Sequence, residues 1–354
     1  MKKVKILDTT LRDGSYSRNF SFTINETEKI CMGLESAGVK LIEIGHGAGL
    51  NASNMGLGKS KHSDEEYMKA TNSVLTKSQY GMFCIAGIAK LEDISLAYRH
   101  DMDFIRIGTD VDKIPDSKKY IKKAKECGMF VTANYMKSYS IPPEKFAENV
   151  LLSEKYGADA IYIVDSAGGM FGDDIKKYVE EIRKVSSIVI GFHGHNNLGL
   201  AVSNSITAAE LGADLVDSSL QGLGRSSGNA STEELVAAFT KKGFSMGIDL
   251  HKILEIGSRY VKPLITKKGK SSLDIVAGFC DFHSSYMHYI EKYSKKYNVN
   301  PLSLMIEITK VDKVNLNERT LEAIANKMEK TDFSTEEEFD FTPYIGGEQD
   351  DADK

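Results

Sequence analysis

The sequence predicts an α/β protein, a TIM (β/α)8 barrel with a C-terminal helical appendage. Short apolar runs alternate with longer amphipathic stretches eight times in about 240 residues. The apolar runs are continuous and rich in β-branched residues, as in strands that helices cover on both faces. Eight such units are typical of the barrel. A doubly wound open sheet is the alternative, but it usually has fewer strands.

Each expected element follows from this alternation. Strands are expected at residues 4–8, 41–44, 80–85, 104–107, 129–133, 160–164, 188–192 and 215–218. Helices are expected at residues 26–37, 64–75, 91–98, 117–127, 143–156, 174–185, 201–211 and 232–239. A glycine suited to a left-handed helix cap precedes the second, fifth, sixth and eighth strands, at Gly38, Gly128, Gly157 and Gly212.

Three regions follow from the distribution of these signals. Residues 1–245 are expected to form the catalytic barrel. Residues 246–330 carry no strand signal and contain helical stretches at 281–297 and 302–310, so we expect a helical region that contacts a partner or a second copy. Residues 331–354 carry nine acids and one base, which indicates a solvated acidic tail.

Composition excludes several other classes of protein. The chain has 354 residues, of which 41% are hydrophobic and 27% charged, so it is neither collagen-like nor wholly disordered. No basic stripe indicates nucleic-acid binding. No apolar run approaches the roughly 18 residues that span a membrane, and the N-terminus lacks the apolar core of a signal peptide. The four cysteines are scattered singly, which fits a reducing cytoplasm.

Polar residues follow six of the eight predicted strands. A (β/α)8 barrel builds its active site from the loops after the carboxyl ends of its strands, so we expect these residues to meet at one mouth. They lie at residues 9–14, 45–47, 165–169, 193–197 and 221–229, and Arg106 lies near the end of the fourth strand.

The segment His193-Gly194-His195 is the sharpest chemical signal. Alternate residues of a strand point to the same side, so the two imidazoles would project together. Two neutral imidazoles and one carboxylate, with coordination positions left open, suit a divalent cation that also binds substrate. Asp13 is the natural third ligand. The alternative is a pair of hydrogen-bonded histidines at a strand end.

Three neighbouring features each allow two interpretations. Arg12 could bind an enolate oxygen or a carboxylate beside a metal, or could simply form a salt bridge with Asp13. Ser166 could offer its hydroxyl to a carboxylate, or could belong to the cap region of a helix. The glycine-rich residues 222–229 could bind phosphate or form a tight rim loop. They lack the Lys-Ser/Thr ending of a nucleotide-binding loop, so a nucleotide is not expected.

These residues together resemble the DRE-TIM metallolyases, a superfamily that includes 3-hydroxy-3-methylglutaryl-CoA lyase. The resemblance rests on residues 7–14 together with His193 and His195. Further stretches resemble the pyruvate class II aldolases of that superfamily, the 4-hydroxy-2-oxovalerate aldolases. These stretches are residues 43–50, 62–67, 162–168, 191–198, 284–286 and 295–299. The resemblance extends to about residue 312 and leaves out the acidic tail.

The resemblance implies a lyase that cleaves or forms a 4-hydroxy-2-oxo acid from pyruvate and an aldehyde through a metal-bound enolate. Asp13, His193 and His195 would bind Mn²⁺ or Mg²⁺, with Zn²⁺ and Co²⁺ as further candidates. Pyruvate would bind beside His193, with Ser166 holding its carboxylate. Arg12 would stabilise the enolate.

Two departures from the family pattern concern the base and the aldehyde. The aldolases have a histidine where this chain has Tyr16, and a tyrosine in the first appended helix at the position that His283 occupies on ungapped counting. We therefore expect that the histidine and the tyrosine have exchanged positions, with His283 as the base. The alternative is neutral change, or loss of activity. Residues 83–87, which we expect to line the aldehyde pocket, also differ and predict a different or larger aldehyde.

Two other functions remain as alternatives. A Claisen-type acyl-CoA/2-oxo acid synthase, like citramalate or isopropylmalate synthase, shares the motifs around Asp13 and His193. Such synthases usually carry a glutamate where this chain has Ser15. The second alternative is a barrel kept only as a scaffold. The aldolase resemblance also implies that the helical region contacts an acylating aldehyde dehydrogenase or forms a homodimer or hetero-oligomer, and the sequence leaves these open.

Overall fold

Eight parallel strands close into a barrel in chain order in this computed structural model. The structure describes residues 3–266, 269–331 and 339–344. The strands are β1 Lys5–Asp8, β2 Leu41–Ile44, β3 Gln79–Ile85, β4 Phe104–Asp110, β5 Phe130–Met136, β6 Ala160–Asp165, β7 Val189–Gly194 and β8 Leu215–Ser218. Strand β1 pairs with both β2 and β8, which closes the sheet and confirms the predicted barrel.

Helices α1 to α8 surround the barrel, and each follows the strand of the same number. They are α1 Ile24–Ala37, α2 Asp64–Val74, α3 Leu91–Arg99, α4 Lys118–Glu126, α5 Pro143–Tyr156, α6 Gly172–Val185, α7 Ala201–Glu210 and α8 Thr232–Lys241. The appended helices are α9 Leu250–Ile256, α10 Ser272–Cys280, α11 Met287–Tyr297, α12 Pro301–Thr309 and α13 Glu318–Lys327. None of the described helices is long and apolar enough to cross a membrane.

Strands β4 and β5 extend three residues beyond their predicted ends. Their last residues remain paired, with Thr109 opposite Tyr135 and Asp110 opposite Met136. The apolar pattern stops earlier because the strand ends carry polar side chains toward the barrel mouth. Hydrophobicity therefore locates the middle of these strands but not their functional ends.

The helix predicted over residues 281–297 was wrong in its first turn and a half, because α11 begins only at Met287. Asp281 adopts a left-handed conformation, with φ of 56°, and ends α10. His283 then caps a short turn at Ser284–Tyr286 by accepting the Ser285 N–H. This break directs the His283 side chain away from a helical surface.

The two largest hydrophobic clusters among the described residues divide the molecule. The first fills the space between the barrel and its helices and includes Ile253 and Val261 after α8. The second joins α10 to α13 and includes Phe341 from the predicted acidic tail. The division of the chain at residue 246 stays a prediction. Residues 332–338 and 345–354 of the predicted tail lie outside the described part of the chain.

Candidate metal centre and active site

Asp13, His193 and His195 come together at the carboxyl ends of the strands. Each offers one ligand atom, and the three atoms lie within 4.8 Å of one another. Asp13 begins the turn after β1, His193 belongs to β7, and His195 directly follows that strand. All three side chains are buried. The two histidines project together because residues two apart lie on the same side of a strand.

Hydrogen-bond donors surround the Asp13 carboxylate. Arg12 Nη1 lies 2.7 Å from Oδ1, and Asn229 Nδ2 lies 2.7 Å from Oδ2. The backbone N–H of Arg225 donates to Oδ2 at 3.2 Å. Burial alone would raise the pKa of Asp13, but Arg12 and the two nearby histidines outweigh it and hold the pKa below its usual range. Asp13 is therefore a carboxylate at neutral pH.

The glycine-rich loop after β8 supports this carboxylate. A Cβ at Gly224 would lie 2.5 Å from Asn229 Nδ2 and 2.8 Å from Asp13 Oδ2, so only glycine permits this close approach. The loop also pairs with the end of β7, since His195 and Asn229 form an isolated β-bridge. Residues 222–229 therefore form a rim loop that positions Asn229.

The two histidines are held differently. His193 Nδ1 lies 2.8 Å from Asp217 Oδ2, which leaves its other nitrogen for the cluster. His195 Nδ1 is buried and has no hydrogen-bond partner among the described residues. Burial lowers the pKa of His195 to about 4 despite the opposing pull of Asp13. Its imidazole is therefore neutral at pH 7, as a metal ligand must be.

A chain of buried charges connects the two sides of the cluster through the barrel interior. Arg12 Nε lies 2.7 Å from Glu43 Oε2, and Arg106 Nη1 lies 2.8 Å from the same oxygen. Arg106 Nη2 then donates to Asp217 Oδ2, the oxygen that also binds His193. The guanidinium of Arg106 lies 4.4 Å from the Tyr162 ring. Both arginines are thus fixed in place by carboxylates and aromatic faces.

The donor atoms of this cluster fit a divalent cation. Within the network, two arginines face the carboxylates of Asp13, Glu43 and Asp217. The buried Arg225 lines the same cavity and adds a third positive charge. One carboxylate and two imidazoles, one of them with an unmatched nitrogen, form a donor set that suits a hard or borderline divalent ion.

Sequence reasoning missed Glu43 and Asp217 and left Arg106 without a role. Each directly follows a buried apolar residue inside a strand: Ile42, Val216 and Ile105 respectively. A charged residue inside a strand buried on both faces needs a partner, so these three positions could have been found by that signal.

A narrow cavity lies beside the cluster and brings the predicted site residues together. It has about 40 Å³ of free space for water. Its lining includes every predicted site residue: Arg12, Asp13, Tyr16, Ser166, His193, His195 and His283. Phe83 and Ile85 of the predicted aldehyde pocket also line it, whereas Cys84 does not.

Ser166 is held in this cavity by a hydrogen bond, whereas Tyr16 is held by packing. Ser166 Oγ accepts the backbone N–H of Lys137 at 2.9 Å, so its own proton can point to a bound group. Tyr16 packs closely on the backbone of Gly47, where a Cβ would lie 2.4 Å from the ring. The Arg225 guanidinium lies 4.7 Å from the centre of that ring. Tyr16 is thus fixed on both of its faces.

His283 reaches the same cavity from the appended helices. It is 3% exposed, and its Nδ1 lies 2.7 Å from Ser285 Oγ. Burial, followed by the positive charges of Arg225 and Lys137, lowers the pKa of His283 well below its ordinary value. The imidazole is therefore neutral.

Two residues at the predicted mouth, His46 and Asp165, bind nearby backbone groups and lie outside the cluster. His46 stacks on Phe20 at 3.7 Å, accepts the Ala48 N–H with Nδ1 and contacts the Gly58 carbonyl with Nε2. Asp165 accepts the backbone N–H groups of Gly169 and Met170, and burial raises its pKa to about 7. Neither belongs to the metal cluster or lines the cavity beside it.

The fold and the site together define a (β/α)8-barrel enzyme with a candidate divalent-metal centre at the carboxyl ends of its strands. The HMGL-like family model matches residues 3–259, and the chain belongs to this family. A curated 4-hydroxy-2-oxovalerate aldolase from Carboxydothermus hydrogenoformans is 36% identical over 332 residues, which cover 93% of this chain and 98% of the relative. One from Pelotomaculum thermopropionicum is 34% identical over 329 residues, covering 93% and 97%.

A solved structure agrees with the fold. The HMG-CoA lyase of Brucella melitensis has a TM-score of 0.66 and 17% identity, over 75% of this chain and 100% of that chain. The curated relatives confirm the prediction of a metal-dependent aldolase of the lyase class. The acyl-CoA synthase alternative is less supported, because the named relatives are aldolases.

Proposed function

We propose that this protein catalyses the reversible cleavage of a 4-hydroxy-2-oxo acid into pyruvate and an aldehyde. In the cleavage direction the bond between C3 and C4 breaks, and its electron pair stays on C3 as pyruvate enolate. The proton of the 4-hydroxyl passes to a base, and C4 becomes the aldehyde carbonyl. C3 then takes up a proton to give pyruvate. The observation that carries this proposal is the Asp13, His193 and His195 cluster beside a buried arginine in one cavity.

Asp13, His193 and His195 would hold Mn²⁺ or Mg²⁺, while their nitrogen atoms also suit Zn²⁺ and Co²⁺. When bound, the ion would supply a Lewis acid that polarises the keto oxygen of the substrate. Asp217 keeps His193 in the orientation that this task needs.

Arg12 is proposed to stabilise the negative oxygen that develops during cleavage. Two carboxylates fix its guanidinium, Glu43 at Nε and Asp13 at Nη1, each at 2.7 Å. A donor held in place before the reaction costs no reorganisation when charge develops. Ser166 would donate its hydroxyl to the carboxylate of the substrate, since its oxygen already accepts the Lys137 N–H.

His283 is proposed as the base that accepts the proton of the 4-hydroxyl. The neutral imidazole has two tautomers. Nδ1 accepts the Ser285 backbone N–H at 3.3 Å in the tautomer that keeps the proton on Nε2. The base requires the other tautomer, in which Nδ1–H donates to Ser285 Oγ at 2.7 Å and the unprotonated Nε2 takes the proton of the 4-hydroxyl. Tyr16 would orient the imidazole and the hydroxyl from the other wall of the cavity. This arrangement is the exchange of the two residue types that the sequence predicts.

Two further proposals concern the surroundings of the enzyme. We propose that helices α10 to α13 contact either a second copy of the chain or an acylating aldehyde dehydrogenase that takes the aldehyde. The four free cysteines support a location in the reducing cytoplasm.

The reaction is tested with pyruvate alone and with a 4-hydroxy-2-oxo acid. We expect exchange of the pyruvate methyl protons for deuterium, followed by NMR, and release of pyruvate from 4-hydroxy-2-oxovalerate. EDTA should abolish both, and added Mn²⁺ or Mg²⁺ should restore them. Activity that survives complete removal of the metal would contradict the proposal.

The base is tested with His283→Ala. We expect retro-aldol kcat to fall by about 10²- to 10⁴-fold, the usual contribution of a general base. His288→Ala is the matched control, because His288 belongs to the adjacent helix α11 and does not line the cavity. A His283→Ala variant with the full rate would remove His283 from this role.

A further inference from the structure

A second and much larger cavity opens beside the metal cavity. It has about 580 Å³ of free space for water, against about 40 Å³ in the first. Tyr16 and Arg225 line both cavities and therefore form the boundary between them. We call the second cavity the outer chamber. Its other lining residues are Ser17, Asn19, Gly224, Ser226, Thr266, Gly269, Lys270, Ser271, Asp340, Thr342 and Pro343.

The two volumes indicate where the parts of a substrate lie. The metal cavity is the narrower of the two, so we place pyruvate and the reacting carbon there. A longer acceptor would extend past Tyr16 and Arg225 into the outer chamber. The chamber would therefore decide which aldehyde the enzyme takes.

Arg225 is a fixed cation at this boundary. Its Nε donates to Ser284 Oγ at 2.7 Å, and its guanidinium lies 4.7 Å from the centre of the Tyr16 ring. The residue is only 6% exposed. A guanidinium that is oriented in advance loses little entropy when it binds a carboxylate or a phosphate.

Most of the other side chains that line the outer chamber carry polar groups. Lys270 adds a second cation, and burial lowers its pKa, while Asp340 adds one carboxylate on an exposed segment. Hydroxyl groups come from Ser17, Ser226, Thr266, Ser271 and Thr342. Such a lining offers hydrogen-bond partners to a hydroxylated chain.

We propose that the acceptor is a hydroxylated aldehyde with a terminal anionic group, a phosphate or a carboxylate, which Arg225 binds from the boundary of the outer chamber. This inference rests on the proposed aldolase function and names its second substrate class. The bond changes are those of the aldol reaction given above, and the anionic group takes no part in them.

The experiment compares acceptors of similar shape and different charge in pyruvate condensation. Glyceraldehyde 3-phosphate is paired with glyceraldehyde, and succinic semialdehyde with butanal. We expect the charged member of at least one pair to have the larger kcat/KM by about 10- to 100-fold. The two pairs distinguish a phosphate from a carboxylate.

Two variants link this preference to Arg225. Arg225→Gln should reduce the ratio of charged to neutral kcat/KM by about 10- to 100-fold, and Arg225→Lys should restore part of it. Lys122→Gln is the control for a change of surface charge and should leave the ratio unchanged, because Lys122 lines a different surface depression.

The outcomes separate this inference from the proposed function. If the protein shows metal-dependent deuterium exchange into pyruvate but equal kcat/KM for charged and neutral acceptors, the inference is wrong and the aldolase proposal stands. If Arg225→Gln lowers both members of a pair equally, Arg225 has no role in acceptor charge. If exchange itself is absent, the aldolase proposal fails first.

Discussion

The two sides of the active-site cavity are built from different parts of the chain. The proposed metal side consists of Asp13, His193 and His195; the two histidines lie at or directly after the end of β7 and Asp13 lies in the turn after β1. The proposed acceptor side consists of Tyr16, Arg225 and His283, which lie on loops and on the helical appendage. The first side is built by the barrel and its loops, whereas the second also depends on how the appendage packs on the barrel.

The difference teaches how each side keeps its geometry. On the metal side, a continuous network of paired charges from Asp13 to Asp217 holds Asp13 and His193. On the acceptor side, Arg225 is fixed by Ser284 of the appendage and by an aromatic ring. Chemistry that is common to many aldehydes can thus stay constant while acceptor choice changes.

The largest expected effect is the loss of metal binding and activity when a proposed metal ligand is replaced. His195→Asn should weaken metal binding and retro-aldol kcat by about 10³-fold or more, since a bound metal contributes several kcal/mol to transition-state stabilisation. Calorimetric titration with Mn²⁺ and steady-state kinetics measure these two losses. The matched control is His46→Asn, because His46 is equally buried after a strand but lies outside the cluster.

Comparable losses in both variants would show that burial of a histidine, and not its place in the cluster, decides metal binding. We expect His46→Asn to bind Mn²⁺ with wild-type affinity. Circular dichroism confirms that both variants are folded before the comparison is made.

An intermediate effect on metal affinity is expected when a residue that orients a proposed ligand is changed. Asp217→Asn weakens the hydrogen bond that orients His193 and removes a partner of Arg106. We expect metal affinity to fall by about 10- to 100-fold, a smaller loss than in His195→Asn. Unchanged Mn²⁺ affinity would show that the hydrogen bond from Asp217 to His193 does not contribute to metal binding.

The smallest expected effect concerns stability and pH. Burial lowers the pKa of His46 to about 4, below its ordinary value of 6.5, so the unfolded chain binds its proton more readily. The stability that neutral His46 contributes is complete above about pH 6.5 and is lost as pH falls toward 4. Relative to His46→Asn, the wild type should lose about 2 kcal/mol between pH 7 and pH 5.

Urea unfolding of metal-free wild type and His46→Asn at pH 7, 6 and 5 measures this difference. A gap between the two proteins that does not change with pH would contradict it. The result also tests whether a lowered histidine pKa by itself marks a ligand, since His46 and His195 share a pKa of about 4.

Sequence reasoning captured the metal side because period-two alternation and barrel topology place strand-end residues without knowledge of packing. Asp13, His193 and His195 needed nothing more. Glu43 and Asp217 were missed because they lie inside apolar runs, where hydrophobic patterns hide single charges. Their pairing with arginines from other strands becomes visible only when the barrel closes.

The acceptor side was captured less completely. His283 was found through a family resemblance, not through local pattern, and the break at Asp281 that directs it to the cavity was predicted as helix. Arg225 was seen only as part of a glycine-rich loop. Its position depends on Ser284, a contact between segments 59 residues apart that no local pattern contains.

Lys137 shows why the barrel is not a portable unit. This fully buried lysine follows β5, and its amine contacts Tyr286 Oη and the Val314 carbonyl, both at 3.1 Å. Its backbone N–H meanwhile donates to Ser166. A chain shortened to the family-matched region would lose both contacts of the amine and uncover it, leaving Asp110 at 3.3 Å as a partner, next to the proposed pocket for the carboxylate. An engineered version of this enzyme therefore needs both the barrel and the appended helices.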